Sequence, residues 1–263
     1  MKNATIRGYM QLNTERLQLI ERFINERQHV RVAELSKYFE VSEPTIRRDL
    51  QKLEEMGRIR RAHGGASAVE QAMPEPPIAQ RVVEYIEEKR RIGQATAQLI
   101  QEGETIFLGS GTTTLEVARY LHEKKNLTVI TNAINVAQCL ASNSDINVII
   151  TGGVLRHSEL SMIGYIVEQT LKELHADKVI VSMRAVSVNE GLTNHNLLET
   201  MTDRKIIQLA REVILVADHS KFGKVSTAVV APITAVHKVV TDAQTPQETV
   251  QSLRAKGITV IQV

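Results

Sequence analysis

Short apolar runs alternate with helical segments from residue 105 to residue 263, and this alternation limits the possible folds more than any other feature. The runs are rich in β-branched residues and too short for helices, as in Thr105–Leu108 (TIFL) and Leu127–Thr131 (LTVIT). Such strands, separated by helices, form a parallel sheet that is covered on both faces. The pattern therefore predicts a Rossmann-like α/β domain. The predicted strands are residues 105–108, 127–131, 146–151, 178–182, 213–217, 237–241 and 258–263, and the predicted helices are residues 89–101, 114–122, 134–141, 165–174, 198–211 and 247–256.

The composition excludes several classes of protein. Of 263 residues, 43% are apolar and 24% are charged, and no apolar run approaches the roughly 18 residues that cross a bilayer. The N-terminus lacks the apolar stretch of a secretory signal, and the single Cys139 can form neither an internal disulfide nor a cysteine-based zinc site. We therefore expect a cytoplasmic protein with no membrane partner, no metal site and no cofactor.

The charge is divided unevenly along the chain. Residues 72–78 (AMPEPPI) hold three of the six prolines and mark a boundary, because stacked prolines favour extended backbone. Residues 1–71 carry 13 Lys and Arg against 10 Asp and Glu, net +3, and residues 72–263 carry 19 against 20, net −1. The total net charge of +2 is therefore the sum of a basic N-terminal piece and a slightly acidic remainder.

Three helices are predicted in this basic piece: a first from Asn13 or Thr14 to about residue 27, a second over residues 33–39 and a third over residues 43–56. In the third helix, Ile46, Leu50 and Leu53 form an apolar stripe that faces inward. The opposite face and the helix start carry the candidate DNA contacts Ser42, Thr45, Arg47, Arg48 and Lys52. Arginine can donate two hydrogen bonds to a guanine edge or a phosphate.

A basic hairpin is predicted after the third helix. In RIRRAHGGASAV, Ile59 and residues 66–69 form strands and the two glycines allow the turn. The hairpin adds the candidate backbone contacts Arg58, Arg60, Arg61 and His63. This arrangement is typical of a winged helix-turn-helix, which binds double-stranded DNA. Two alternatives remain open: the arginine pair is a solvated helix face, or the helices serve only for oligomerisation.

A ligand site is predicted at the carboxyl ends of the parallel strands. Ser110, Gly111, Thr112 and Thr113 follow the first strand and lead into a helix, so that free N–H groups and hydroxyls can hold a phosphate or carboxylate. Threonine-rich helix starts are also commonly simple caps. Other strand ends add the candidates Asn132, Gly152, Gly153, Arg184 and Lys221, of which the first three can equally be turn residues. Glu199 is a further candidate, which can pair with Arg184 or Lys221 or bind a sugar hydroxyl.

The motifs VS..TIRRDL (residues 41–50) and HGGA (63–66), followed by SGTT, VITN, TGG, GLT and D.SKFG, resemble the DeoR family of bacterial transcriptional regulators over nearly the whole chain. The resemblance implies a winged helix-turn-helix domain and a sensor domain with the fold of ribose-5-phosphate isomerase and CoA transferases. The sequence departs from the family pattern at two places. Gly109 stands where the family usually has an acidic residue, and residues 183–186 stand where the family usually has a glycine-rich segment. On this basis we divide the chain into an extension (1–12), a DNA-binding domain (13–68), a linker (69–88) and a sensor domain (89–263).

The resemblance implies a sequence-specific regulator, a repressor of a carbohydrate-metabolism operon, controlled by a phosphorylated sugar or related metabolite. We expect a homo-oligomer, a dimer or tetramer, because one recognition helix contacts too few bases for useful specificity. The alternative is a sugar-phosphate isomerase or deaminase with an N-terminal appendage. That chemistry needs a carboxylate base, and Asp218, Glu199 and Asp242 form no clear acid–base pair. We therefore expect no catalytic residues and no enzyme activity.

Overall fold

The computed structural model describes residues 16–24, 27, 29–55, 59–62, 64–68 and 76–263, with residues 29, 55, 60–62, 67 and 68 described by their backbone only. The chain forms two compact units, Met1–Gln71 and Ala72–Val263. Each unit has its own buried core. In the part of the chain that the structure describes, no helix is long and apolar enough to cross a membrane, and no group of His, Cys, Asp and Glu side chains is arranged to hold a metal ion.

The small unit contains, in its described residues, three helices packed with a three-stranded antiparallel sheet of order β1-β3-β2. The elements are α1 (16–24), β1 (His29–Arg31), α2 (Val32–Phe39), α3 (Glu43–Glu55), β2 (Ile59–Ala62) and β3 (Gly65–Ala68). The helices and the hairpin agree with the sequence prediction, whereas β1 was not predicted. The predicted stripe of Ile46, Leu50 and Leu53 is fully buried, against Ile20 and Leu35.

The second glycine of the HGGA motif is required by the third strand. Strand β3 pairs with β2 on one side and with β1 on the other, where Gly65 faces Arg31. A Cβ atom at Gly65 would collide with the carbonyl oxygen of Val30. Only glycine therefore allows the two backbones to approach this closely.

The large unit is built on a seven-stranded parallel sheet of order β15-β14-β12-β9-β4-β5-β6. Its strands are β4 (Thr105–Leu108), β5 (Leu127–Thr131), β6 (Ile146–Ile150), β9 (Ala176–Val181), β12 (Ala210–Val216), β14 (Lys238–Thr241) and β15 (Thr259–Gln262). The helices are α4 (Ile78–Arg81), α5 (Ile86–Gln98), α6 (Thr112–Arg119), α7 (Ile134–Leu140), α8 (Tyr165–Lys172), α9 (Leu197–Ile207) and α10 (Gln247–Ala255). The alternating pattern predicts each of these elements except α4. One predicted bound is wrong: the helix over residues 198–211 ends at Ile207, because Ala210 already pairs with Ala176 of β9 at the start of β12.

Both faces of this sheet are covered. Along β4, Phe107 packs into one core cluster, whereas Ile106 and Leu108 pack into the other. The same alternation holds in β9, where Val179 and Ile180 belong to different clusters. Side chains that alternate between two buried layers explain why these strands are apolar without interruption.

Two smaller sheets complete the large unit. A hairpin of β7 (Val154–Arg156) and β8 (Ser161–Ile163) follows β6, and an antiparallel sheet combines β10 (Ala185–Ser187), β11 (Gly191–Asn194) and β13 (Ala228–Ala231). None of these short strands was predicted from the sequence. They occupy the connections that leave the carboxyl ends of the parallel strands.

The order of the strands determines where a ligand site can form. From β4 the chain moves outward on one side to β5 and β6, and then returns to the other side of β4 with β9. The connections that follow β4 and β9 therefore leave in opposite directions and open a crevice between them. In open α/β sheets, ligands bind in this crevice.

The segment before α5 packs on the large unit. The predicted linker spans residues 69–88, of which residues 69–75 lie outside the described residues. From Ile78 onward the chain is folded: Ile78 is buried, and its N–H donates to the carbonyl of Ser158 at 2.7 Å. Helix α4 begins directly after Pro77, because proline permits a helix to start behind it.

Candidate functional site

Helix α3 exposes the basic residues that were predicted to contact DNA. Arg47, Arg48 and Lys52 are exposed, on the side away from the buried apolar stripe. Arg47 forms an exposed ion pair with Glu43, in which Nη2 lies 3.1 Å from Oε2. Since a surface pair of this kind is worth little, Arg47 can exchange Glu43 for a phosphate.

The start of α3 carries two interacting hydroxyls. The carbonyl of Ser42 accepts the first helical hydrogen bonds, from the N–H groups of Thr45 and Ile46 at 2.9 and 3.1 Å. The hydroxyls of Ser42 and Thr45 lie 2.9 Å apart in a hydrogen bond. Both are at the surface end of the helix, where DNA-reading helices present their first residues.

Asp49, which the sequence analysis did not single out, anchors this helix. Its carboxylate is buried and accepts two hydrogen bonds from Arg16 of α1, from Nε at 2.7 Å and from Nη2 at 3.2 Å. A bidentate pair of this kind sets the position of α3 against α1. The RRD part of the motif therefore combines two exposed arginines with one buried structural carboxylate.

The predicted hairpin is present, but its basic side chains are not described. Arg60 and Arg61 lie on β2, opposite Ser67 and Ala66 of β3. Arg58 and His63 lie outside the described residues. Their contacts with the DNA backbone remain predictions.

A cavity opens at the crevice between β4 and β9. About 520 Å³ of empty space lies there, including the part open to solvent. The cavity brings together six of the residues that were predicted to bind an effector: Ser110, Gly111, Thr112, Arg184, Glu199 and Lys221. Five of them follow the ends of three parallel strands, β4, β9 and β12, and Glu199 comes from the first turn of α9.

Four other predicted residues do not line this cavity. Thr113 is buried in the first turn of α6. Asn132 packs under the β7–β8 hairpin, where its Nδ2 donates to the carbonyl of Met162 at 3.1 Å. Gly152 and Gly153 form the turn into that hairpin with φ angles of 70° and 115°. A Cβ at Gly153 would lie 2.6 Å from Val167, so tight packing accounts for this glycine.

The wall of the cavity also contains buried charged residues that sequence reasoning missed. Arg81 of α4 pairs with Glu159, and both side chains are at least nine-tenths buried. Glu199 receives two hydrogen bonds from Nη1 of Arg156, at 3.0 and 2.9 Å, a partner that the sequence did not suggest. Asp203 accepts a hydrogen bond from the Asn194 amide. No local pattern marks the pairs Arg81–Glu159 and Arg156–Glu199, because the partners are 78 and 43 residues apart in sequence.

Comparison with known proteins decides the family. The model of the DeoR-like helix-turn-helix domain matches residues 16–72, and the model of the DeoR C-terminal sensor domain matches residues 84–243. The chain belongs to the DeoR family of transcriptional regulators. This confirms the resemblance predicted from the sequence, and with it a DNA-binding regulator that combines a helix-turn-helix domain with an α/β sensor domain.

Named relatives of this DeoR-family regulator share both of its domains. The chain is 36% identical to the transcriptional repressor AccR of Agrobacterium fabrum, over 86% of this chain and 88% of that protein. It is 35% identical to the glycerol-3-phosphate regulon repressor of Escherichia coli, over 91% of this chain and 95% of that protein. Among solved structures, ribose 5-phosphate isomerase A from Methanocaldococcus jannaschii is similar at 16% identity and a TM-score of 0.40, over 53% of this chain and 55% of that chain.

Asp203 gives the cavity of this DeoR-family regulator an unusual carboxyl group. Burial raises the pKa of Asp203 well above its ordinary range, and the neighbouring Glu199 raises it further, against the opposing hydrogen bond from Asn194. The shift favours the neutral carboxyl, which can donate a hydrogen bond as well as accept one. Such a group suits a ligand hydroxyl.

We expect the substitution Asp203→Asn to increase the free energy of unfolding at pH 8. Because the pKa of Asp203 is higher in the folded than in the unfolded chain, the folded state binds more protons between these two values. This stabilising contribution is complete below the unfolded pKa and is lost as the pH rises through the folded pKa. Asparagine removes the dependence, so urea titrations at several pH values should show the variant's advantage shrinking towards acidic pH. Parallel pH profiles for the two proteins would contradict this assignment.

Proposed function

We propose that this DeoR-family regulator is a repressor of a carbohydrate-metabolism operon, controlled by a phosphorylated sugar or related metabolite in the cavity between β4 and β9. One observation carries the proposal: the loop Ser110–Thr112 enters helix α6 in the same cavity wall as Lys221 and Arg184. Helix N–H groups, hydroxyls and two cations together suit a phosphate. The names of two relatives, a repressor and a glycerol-3-phosphate regulon repressor, support the function and the class of ligand.

The far wall of the cavity suits the rest of such a ligand. Glu199, Asp203 and Asn194 offer hydrogen-bond acceptors and donors for hydroxyls. Glu199 is paired with Arg156, and the raised pKa of Asp203 favours its protonated form, so neither is suited to act as a catalytic base. We therefore propose binding without turnover.

We propose further that the protein acts as a homo-oligomer on double-stranded DNA. The described part of the small unit exposes a single recognition helix, α3. Two such helices on neighbouring half-sites are needed for useful specificity. Ser42, Thr45, Arg47, Arg48, Lys52 and the basic hairpin residues are the proposed DNA contacts.

A thermal-shift screen of the full chain tests the ligand class. We expect sugar phosphates to raise the melting temperature and the corresponding unphosphorylated sugars to leave it unchanged, because a bound ligand stabilises the folded state. Lys221→Gln should weaken binding of the best phosphate about tenfold, the value of one charge-assisted hydrogen bond. Lys224→Gln, at an exposed lysine three residues away, is the matched control and should have no effect. Equal stabilisation by sugars without phosphate would reject the proposal.

A further inference from the structure

Arg81 connects the cavity wall to the start of the large unit. Its side chain is only 8% exposed and lines the cavity together with Ser110, Thr112 and Lys221. Arg81 falls within the linker predicted from the sequence, residues 69–88. In the structure, a buried guanidinium faces the space that an anionic ligand would occupy.

The same guanidinium holds the chain where it enters the large unit. Nε of Arg81 donates to the carbonyl of Pro76 at 2.8 Å, and Nη2 donates to the carboxylate of Glu159. The backbone of Arg81 is held as well, because its carbonyl accepts a hydrogen bond from Nζ of Lys89 at 2.7 Å. Residues 72–75 are all that separates this segment from the end of the small unit at Gln71.

A phosphate in the cavity competes for Arg81. The hydrogen bond to Pro76 uses a neutral acceptor, whereas bonds to phosphate are charge-assisted and can be bidentate. Glu159 has a second cation nearby, since Nη1 of Arg156 lies 3.7 Å from its Oε1. Arg81 can therefore turn towards a ligand without leaving Glu159 as an uncompensated buried charge.

We propose that Arg81 binds the anionic group of the ligand and, in doing so, gives up its hydrogen bond to Pro76 and its ion pair with Glu159, which loosens the attachment of residues 76–81 to the large unit. This inference rests on the proposed function and specifies its regulation. Occupancy of the cavity changes how firmly the chain leading to the DNA-binding unit is held. Ligand and DNA binding are then linked through one segment with two arrangements, as an allosteric mechanism requires.

Amide hydrogen exchange of the full chain, with inorganic phosphate as the probe, tests the proposed role of Arg81. Phosphate should slow exchange at the amides of residues 110–113, because they bind it. In the same sample it should speed exchange at Ile78, whose N–H bonds to Ser158, by about tenfold, the equivalent of one lost hydrogen bond. The two peptides report separately on binding and on release.

Arg81→Gln should weaken phosphate binding about tenfold. In this variant, the amide hydrogens of residues 76–81 should exchange fast with or without phosphate. The double substitution Arg81→Gln and Glu159→Gln removes both buried charges. We expect it to show the same weaker phosphate binding and the same fast exchange as Arg81→Gln, so it tests the role of Arg81 if the single variant does not fold. Arg90→Gln, at an exposed arginine paired with Glu87 on the surface of α5, changes the net charge by the same amount as Arg81→Gln and should match the unsubstituted protein.

The possible failures are distinguishable. Phosphate that protects residues 110–113 without changing exchange at residues 76–81 overturns the role of Arg81 and leaves the proposed ligand site standing. Phosphate that does not protect residues 110–113 at any concentration overturns both.

Discussion

Arg48→Ala is expected to weaken operator binding by about 1–3 kcal/mol, roughly fivefold to 150-fold. Arg48 is exposed on α3, while Ile46 and Leu50 on the other side of the helix are completely buried. The substitution therefore removes a guanidinium from the exposed side of α3, the proposed DNA-binding side, without disturbing the core. The proposed role of α3 depends on this result more than on any other.

The measurement is fluorescence anisotropy of an operator fragment at two or more salt concentrations. A contact to phosphate should reduce the slope of log K against log salt by about one, whereas a contact to a base edge should relax specificity at one position of the site. Arg90→Ala removes the same charge from an exposed site on the large unit and serves as the control. If both variants bind equally well, α3 is not the recognition helix.

Leu50→Ala should destabilise the small unit by about 2–5 kcal/mol. Leu50 is completely buried in the core formed by the three helices and the hairpin, and its loss leaves a cavity in a unit of only about 70 residues. At about 4–8 °C per kcal/mol for a domain of this size, the melting temperature of the unit should fall by about 8 °C or more.

Scanning calorimetry of the full chain can measure this change. The matched control is Leu19→Ala, because Leu19 lies on α1 with 54% of its surface exposed, and the same truncation there should change stability by less than about 0.5 kcal/mol. Equal effects of the two substitutions would show that the apolar stripe of α3 is not the core of the small unit.

Local sequence patterns were sufficient for the main elements. The runs TIFL and LTVIT became β4 and β5 with the predicted bounds, because β-branched residues without a helical period have no stable alternative to a buried strand. The spacing of Ile46, Leu50 and Leu53 correctly predicted the buried face of α3. The cavity-lining loop Ser110–Thr112 was found because it follows a strand and begins a helix.

Local patterns could not predict features that depend on distant partners. Strand β1 is three residues long and exists because it pairs with β3, more than thirty residues later. The β7–β8 hairpin explains why Gly153 is a packing residue under Val167, a distinction that the motif TGG does not contain. Short strands of this kind have little propensity of their own and are stabilised only by pairing.

By itself, the amino-acid sequence determined two domains, the apolar and basic faces of α3, and a glycine-threonine loop at the edge of a parallel sheet, because all of these depend on residues close together in the chain. Only the tertiary structure decided which charged groups surround that loop. Arg81 and Glu159 are 78 residues apart, and Arg156 and Glu199 are 43 apart. Their pairing follows from the strand order that folds both pairs onto the same crevice, and strand order is not encoded in any local pattern.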